Sequence, residues 1–134
     1  MSAAHVGEVR EEVVVVLRIA ERAREDLVEV GVNASPDEQV KKLALLSADC
    51  GLDGVVCSAA ETPLLREIVP LDFCLVTPGI RRPEDAAADQ KRIVGPAQAI
   101  SNGSTFLVVG RPINQAASPG ESLATFNQEI SSVL

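Results

Sequence analysis

The chain has 134 residues and a formal net charge of −7; 46% of its residues are apolar, although only three, all Phe, are aromatic. This length predicts one domain spanning residues 1–134, with a core of Val, Leu, Ile and Ala. The negative charge argues against a nucleic-acid binder or a membrane-surface protein, because both need excess positive charge. It still allows a local cationic pocket for a small anion.

The three cysteines favour neither a disulfide framework nor a zinc site. Cys50, Cys57 and Cys74 are odd in number, and no Cys-x-x-Cys spacing occurs. We expect reduced, mostly buried thiols in a cytoplasmic protein. The N-terminal segment lacks the apolar stretch of a signal peptide, and no run approaches the roughly 20 apolar residues of a transmembrane helix. His5 is the only histidine and is expected to be solvated, so no metal site is predicted.

Apolar runs typical of strands alternate with helical patterns along the chain. Strands are predicted at residues 12–19, 53–59, 72–77 and 104–110, and helices at residues 20–31, 35–51, 62–69, 95–103 and 118–134. Ser35, Thr62 and Ser118 are the predicted N-caps, each followed by a proline. The alternation predicts right-handed βαβ units and a parallel sheet. Residues 78–89 form a long loop without apolar periodicity, and such loops are usually functional or mobile.

Candidate ligand-binding residues follow the predicted strands, because parallel α/β sheets bind ligands at the carboxyl ends of their strands. These residues are Arg18 after the first strand, Ser58 after the second, Thr77, Pro78 and Gly79 after the third, and Gly110 and Arg111 after the fourth. Gln90, at the far end of the long loop, could add a neutral donor.

The Gly110-Arg111 pair is suited to a phosphate. No Cβ blocks the approach of an anion to the Gly110 backbone N–H, and the Arg111 guanidinium offers two parallel donors to phosphate oxygens. From the residues alone, other interpretations stay open. Gly110 could be a turn glycine beside a solvated Arg111, Gln90 a polar loop residue, and Ser58 a helix cap.

Four stretches together resemble the C-terminal half of orotidine 5'-phosphate decarboxylase. They are "GLDGVVCSAAE" (residues 51–61), "LVTPGIR" (75–81), "DQKRI" (89–93) and "LVVGRPINQA" (107–116). They occur in the family's order, with its loop length between Thr77 and Gln90, and four linked motifs are more specific than any one of them.

The resemblance implies a fold, an activity and roles for residues. The family is a (β/α)₈ barrel and a homodimer that converts orotidine monophosphate to uridine monophosphate without a cofactor. Gly110 and Arg111 would bind the ribose phosphate, and Gln90 would reach the same phosphate from the loop. Ser58 would hydrogen-bond the pyrimidine, whereas Thr77, Pro78 and Gly79 would line the pocket.

The chain departs from the family in its catalytic residues. The resemblance implies a Lys/Asp set in which a lysine among carboxylates protonates the carbanion left when the carboxylate is expelled. No such set is present, and the only lysines are Lys41, Lys42 and Lys91. We therefore assign no catalytic residue and expect no decarboxylation by the chain alone.

Four βα units would make half of a barrel with an open inner face, so we expect a homodimer to complete it. Three functions stay open at this point. The chain could bind a phosphoribosyl compound without catalysis or act on another such substrate, it could work as a decarboxylase with an N-terminal half as partner, or it could be a structural interaction module.

Overall fold

The structure, a computed structural model, describes residues 14–16, 24–83 and 93–134. The strands are β1 (Val14–Val16), β2 (Gly54–Val56), β3 (Cys74–Pro78) and β4 (Phe106–Val108). The helices are α1 (Arg24–Glu29), α2 (Pro36–Asp49), α3 (Thr62–Arg66), α4 (Pro96–Ser101), α5 (Arg111–Asn114) and α6 (Pro119–Ser131). Within these residues, no helix is long and apolar enough to cross a membrane.

The four strands form one parallel sheet in the order in which they occur along the chain. Val56 of β2 pairs with Val76 of β3, and Val76 pairs with Phe106 of β4. Helices connect successive strands, as parallel neighbours require, because a tight hairpin cannot join strands that run in the same direction. The predicted α/β fold of parallel βα units is confirmed.

A first core cluster lies between the middle strands and helices α2 and α3. It contains Val40 and Ala44 of α2, Val55 and Cys57 in and after β2, Leu65 and Val69 in and after α3, and Phe73 and Leu75 before and in β3. Val55, Leu65 and Leu75 are fully buried. Burying each such side chain contributes about 1.5–3 kcal/mol relative to leaving it in water.

A second cluster lies under α4 and α6. Ala59, Ile80, Ala99 and Phe126 form its buried part, and Leu107 and Val109 of the β4 region pack against it. Since Val55 and Leu75 pack in the first cluster and Leu107 in the second, one face of the sheet is covered by helices along β2, β3 and β4.

Within the described residues, no helix covers the opposite face of the sheet. Alternation along a strand points Val56, Val76, Phe106 and Val108 away from the helices, and Phe106 and Val108 are 52% and 51% exposed. We call these four residues the inner face. Gly54 lies beside Cys74 on the same face, and a Cβ at Gly54 would overlap the carbonyl oxygen and Cβ of Cys74. Glycine therefore lets β2 and β3 approach closely at this point.

Two of the three predicted N-cap residues, Ser35 and Ser118, occupy the N-cap position, and Thr62 does not. Ser35 caps α2 with a complete capping box to Glu38, as predicted. Thr62 is not a cap: it is the first residue of α3 after Glu61, and its hydroxyl donates to the Ser58 carbonyl at 3.2 Å. Ser118 occupies the N-cap position of α6 and is followed by a proline, as predicted, but its side chain makes no capping hydrogen bond.

Three further expectations need correction. The described strands are shorter than the predicted runs, since β2 covers only Gly54–Val56. The short helix α5 after β4 was not predicted from the sequence. The three cysteines, all among the described residues, form no disulfide bond, but only Cys57 is buried: Cys74 is half-buried and Cys50, at the C-terminal end of α2, is exposed.

Candidate active site

The carboxyl ends of β2, β3 and β4 lie at the same edge of the sheet, because the three strands are parallel and in register. Ser58 follows β2, Pro78 ends β3 and Gly79 follows it, and Gly110 with Arg111 follows β4. The candidate residues of three separate chain segments therefore share one edge. This is the edge at which parallel α/β folds bind ligands.

Gly110 and Arg111 form the start of α5, directly after β4. The Gly110 carbonyl accepts hydrogen bonds from the N–H groups of Ile113 and Asn114 at 2.9 and 3.0 Å. Gly110 has open space where a Cβ would lie, and the Arg111 side chain is exposed. No carboxylate of the described residues pairs with the Arg111 guanidinium, so its donors can meet an anion from solution.

The start of α5 is held in place by α6. The Ser122 hydroxyl, 7% exposed, donates to the Pro112 carbonyl at 2.8 Å. Ile113 packs against the second core cluster. These contacts fix the backbone around Arg111, although its side chain is free to move in solvent.

The chain reverses after β3 at Gly79, whose φ of +76° lies in the left-handed region that only glycine adopts at little cost. Ile80 then enters the second core cluster with 1% exposure. Arg81 is 7% exposed, and its backbone N–H donates to the Val94 carbonyl at 3.3 Å. Arg81 is thus buried shortly after the end of β3. Neither the composition nor the spacing of the sequence indicated this burial.

Thr77 lies on the helix-covered face rather than on the inner face. It pairs with Leu107 in the sheet and is fully buried. Its hydroxyl donates to the Ser104 hydroxyl oxygen at 3.0 Å. A ligand at the strand ends would therefore meet Thr77 through the backbone, whereas Pro78 and Gly79 are exposed there.

Ser58 is the first residue of a tight turn after β2. Its carbonyl accepts the Glu61 N–H at 3.0 Å, and its hydroxyl oxygen accepts the Ala60 N–H at 3.3 Å. The Glu61 carboxylate in turn accepts the Ser58 backbone N–H at 3.0 Å. Glu61 is 7% exposed, and this burial raises the pKa of its carboxyl group, although the Ser58 hydrogen bond opposes the rise.

Cys57, immediately before Ser58, has no features of a reactive thiol. Burial, and secondarily the nearby Glu61 charge, raise the pKa of Cys57 to about 12. A thiol with such a pKa is almost entirely protonated at neutral pH and is a poor nucleophile.

Gln90, Arg18 and His5 lie outside the described residues, so the expectations for them remain predictions. Sequence reasoning did not assign a role to Glu61. The pattern Ser58-x-x-Glu61 has the spacing of a capping box, and this could have indicated the hydrogen bond between the two residues. The burial of Glu61 depends on tertiary contacts, which the pattern does not show.

Comparisons with known proteins identify the family of this chain. The sequence model of the orotidine 5'-phosphate decarboxylase / HUMPS family matches residues 1–126. The orotidine 5'-phosphate decarboxylase of Nitrosomonas europaea is 53% identical over 109 residues, which are 81% of this chain and 47% of that protein. The enzyme of Nitrosomonas eutropha is 47% identical over 125 residues, 93% of this chain and 54% of that protein.

A solved structure shows the same architecture. The crystal structure of orotidine 5'-phosphate decarboxylase from Lactobacillus acidophilus superposes with a TM-score of 0.74 at 32% sequence identity, covering 89% of this chain and 49% of that chain. The chain spans about half the length of the relatives it matches, and its parallel βα units are half of a (β/α)₈ barrel. The chain belongs to the orotidine 5'-phosphate decarboxylase / HUMPS family.

Proposed function

We propose that residues 1–134 form one half-barrel domain that binds a phosphoribosyl compound at the carboxyl ends of its strands. The observation that carries the proposal is the open backbone at Gly110 beside an exposed Arg111, which no carboxylate of the described residues pairs, at the strand edge shared with Ser58 and Gly79. The relatives are named for an enzyme of a nucleoside 5'-phosphate, which is the ligand class this edge suits.

The phosphate end of the ligand lies at α5 in this proposal. The Gly110 N–H and the Arg111 guanidinium donate to phosphate oxygens, and Gln90 adds a donor from the loop between β3 and α4. Arg81, buried just after Gly79, places a second positive charge at the same edge. The chain as a whole carries a net charge of −7, so attraction of a phosphate depends on these local cations.

The base end lies at β2 and β3. Ser58 presents its hydroxyl at the end of β2, and the backbone of Thr77, Pro78 and Gly79 lines the pocket at the end of β3. The absence of a disulfide among the three cysteines fits a reducing, cytoplasmic compartment. We assign no cofactor, as the resemblance to the family implies.

We propose that the chain alone does not decarboxylate orotidine monophosphate. That reaction needs a proton donor at the carbon that loses its carboxylate. The lysines among the described residues, Lys41 and Lys42, lie on α2 rather than at a strand end. Action on another phosphoribosyl substrate, decarboxylation together with an N-terminal half, and a role without any ligand are the alternatives that the experiments below separate.

A second copy of the chain is the proposed partner. Phe106 and Val108 are half-exposed, so covering them would gain part of the roughly 1.5–3 kcal/mol that full burial of such a side chain contributes. The sheet has four parallel strands, and a two-fold axis along the barrel would place β4 of one copy beside β1 of its partner, with all eight strands parallel. This closure covers the inner face and removes both sheet edges.

Calorimetric titration with ribose 5-phosphate and with uridine monophosphate tests the ligand. We expect both to bind, and Arg111→Ala to weaken both by about 1.5–3 kcal/mol, because a charge-assisted phosphate contact is lost. Lys42→Ala removes one exposed positive charge from α2 and should leave both affinities unchanged. Equal losses in the two variants, or no binding by the wild type, would favour a module without a ligand.

A further inference from the structure

In two turns of the described residues, a glutamate carboxylate accepts the backbone N–H of the serine three positions earlier, and the turns differ in how the serine hydroxyl is used. In the box at the start of α2, the Glu38 carboxylate accepts both the Ser35 backbone N–H at 2.8 Å and the Ser35 hydroxyl at 2.9 Å. In the turn after β2, the Glu61 carboxylate accepts only the Ser58 backbone N–H, at 3.0 Å.

The Ser58 hydroxyl hydrogen therefore has no acceptor within the described residues. Its oxygen accepts the Ala60 N–H at 3.3 Å, and within the described residues the hydroxyl donates to no side chain. The Ser58 carbonyl is already occupied by the Glu61 N–H and the Thr62 hydroxyl. All polar groups of Ser58 except the hydroxyl hydrogen and one lone pair are thus satisfied inside the turn.

We propose that Glu61 is a positioning residue: by accepting the Ser58 backbone N–H from a buried position, it fixes Ser58 with its hydroxyl hydrogen available to donate to the base of a bound nucleotide. This inference rests on the proposed function and adds to it the direction of the hydrogen bond. Ser58 acts as a donor, so the ligand atom that it meets is an acceptor, such as a pyrimidine carbonyl oxygen.

Retaining a carboxylate at this place has a cost that capping alone does not explain. Glu61 is 7% exposed, and burial penalises its charged form and raises its pKa. Asp37, in the first turn of α2, raises it further. Among the described residues, Cys57 directly after β2 lies near Glu61, and Arg66 of α3 also acts on the Cys57 thiol. The exposed Glu38 accepts the corresponding backbone N–H, that of Ser35, at a surface position.

Nuclear magnetic resonance of the wild type tests the positioning directly. The Ser58 amide proton should shift as Glu61 ionises, with the same midpoint as the Glu61 carboxyl carbon, and Asp37→Asn should lower that midpoint because a like charge is removed. In Glu61→Gln the pH-dependent shift of the Ser58 amide should disappear. If the chemical shift of the Ser58 amide proton does not change as Glu61 titrates, the proposal is overturned, whether or not any ligand binds.

Ligand titration then separates the base end from the phosphate end. We expect Glu61→Ala to weaken the affinity for uridine monophosphate by about five- to tenfold and to leave the affinity for ribose 5-phosphate unchanged. Glu61→Gln should restore most of the lost affinity, since its amide oxygen still accepts the Ser58 N–H. Glu38→Ala is the matched control and should change neither affinity. Wild-type affinity of Glu61→Ala for uridine monophosphate, or equal losses for the two ligands, overturns the proposal.

The same titration distinguishes this proposal from the proposed function. If ribose 5-phosphate binds in an Arg111-dependent way while the Glu61 variants change nothing, the phosphate site stands and the role of Glu61 is wrong. If the wild type binds neither ligand, the proposed function is wrong and so is the donor role of Ser58.

Discussion

The guanidinium carbon of Arg82 lies 4.8 Å from the centre of the Phe126 ring. Phe126 belongs to α6 and is 1% exposed, so the second core cluster holds the ring in place. The contact joins the segment that follows the Gly79 turn to the last helix. The two consecutive arginines after β3 thus have different surroundings: Arg82 lies over an aromatic face, whereas Arg81 is buried beside the turn.

A double-mutant cycle measures this contact. Arg82→Gln and Phe126→Leu should each destabilise the domain, and together they should show a coupling of about 0.5–1 kcal/mol in urea unfolding, because a cation over a ring face is attracted by its quadrupole. Phe126→Leu alone should cost more, since it also leaves a cavity in a buried cluster. Strictly additive losses would show that the two side chains touch without stabilising one another.

Arg66 is expected to stabilise the domain without affecting ligands. Its guanidinium donates to the carbonyls of Pro70, Phe73 and Gly103 and to the Thr105 hydroxyl, at 2.9–3.1 Å. These partners precede β3 and β4, at the edge of the sheet opposite the candidate site.

Replacing Arg66 by Met removes these hydrogen bonds and should lower the free energy of unfolding by roughly 2–4 kcal/mol. Arg66→Lys keeps the charge but cannot reach all four acceptors, so it should have an intermediate effect. Ribose 5-phosphate affinity, measured below the unfolding transition, should match the wild type. A loss of ribose 5-phosphate affinity in a stably folded Arg66 variant would contradict the prediction that this edge of the sheet contributes to stability and not to ligand binding.

Local patterns in the sequence were sufficient to predict the fold. The β-branched run that contains β1 and the apolar runs of β2, β3 and β4 alternate with helical periodicity, and this alternation selects parallel βα units. The Ser35 capping box is also a local signal, because all its atoms lie within one helical turn.

What the sequence could not predict depends on burial and on contacts between distant segments. Thr62 has the residue type of a cap, but Glu61 and Ser58 already form the turn, so its hydroxyl donates backward to Ser58. Nothing in the order of residues indicates that Arg82 lies over Phe126. Thr77 follows a strand pattern, yet the face to which it points is set by pairing with Leu107.

Phe106→Glu should disrupt the proposed dimer. Phe106 is half-exposed on the inner face at the edge strand β4, and a charge there would have to be buried on closure of the barrel. Leu71→Glu is the matched control, because Leu71 is 89% exposed in the turn before β3. We expect sedimentation velocity to show a dimer for the wild type and for Leu71→Glu, and a monomer for Phe106→Glu. A folded wild-type monomer at micromolar concentration would refute the dimer.

The thiols should differ in reactivity. Cys50 is exposed and should react with an aromatic disulfide reagent in the native state, whereas Cys57 is buried with a pKa of about 12 and should react only after unfolding.

The pKa of Cys57 is raised on folding from 9.0, so the unfolded chain loses this proton first. Its contribution to stability is complete below pH 9 and falls as the pH rises toward 12. Cys57→Ala should therefore weaken the loss of stability in that range, and an unchanged pH dependence would contradict the assignment.

The purified chain should release no carbon dioxide from orotidine monophosphate labelled at its carboxylate, even at concentrations that saturate uridine monophosphate binding. Expulsion of the carboxylate leaves a carbanion that needs a nearby proton donor, and Lys41 and Lys42, the lysines of the described residues, lie on α2. The Nitrosomonas europaea enzyme, 53% identical over the matched region, is the positive control. Release above background that Arg111→Ala abolishes would show that the half-barrel carries out the reaction by itself. Release that appears only after mixing with an N-terminal half would instead place the missing proton donor on that partner.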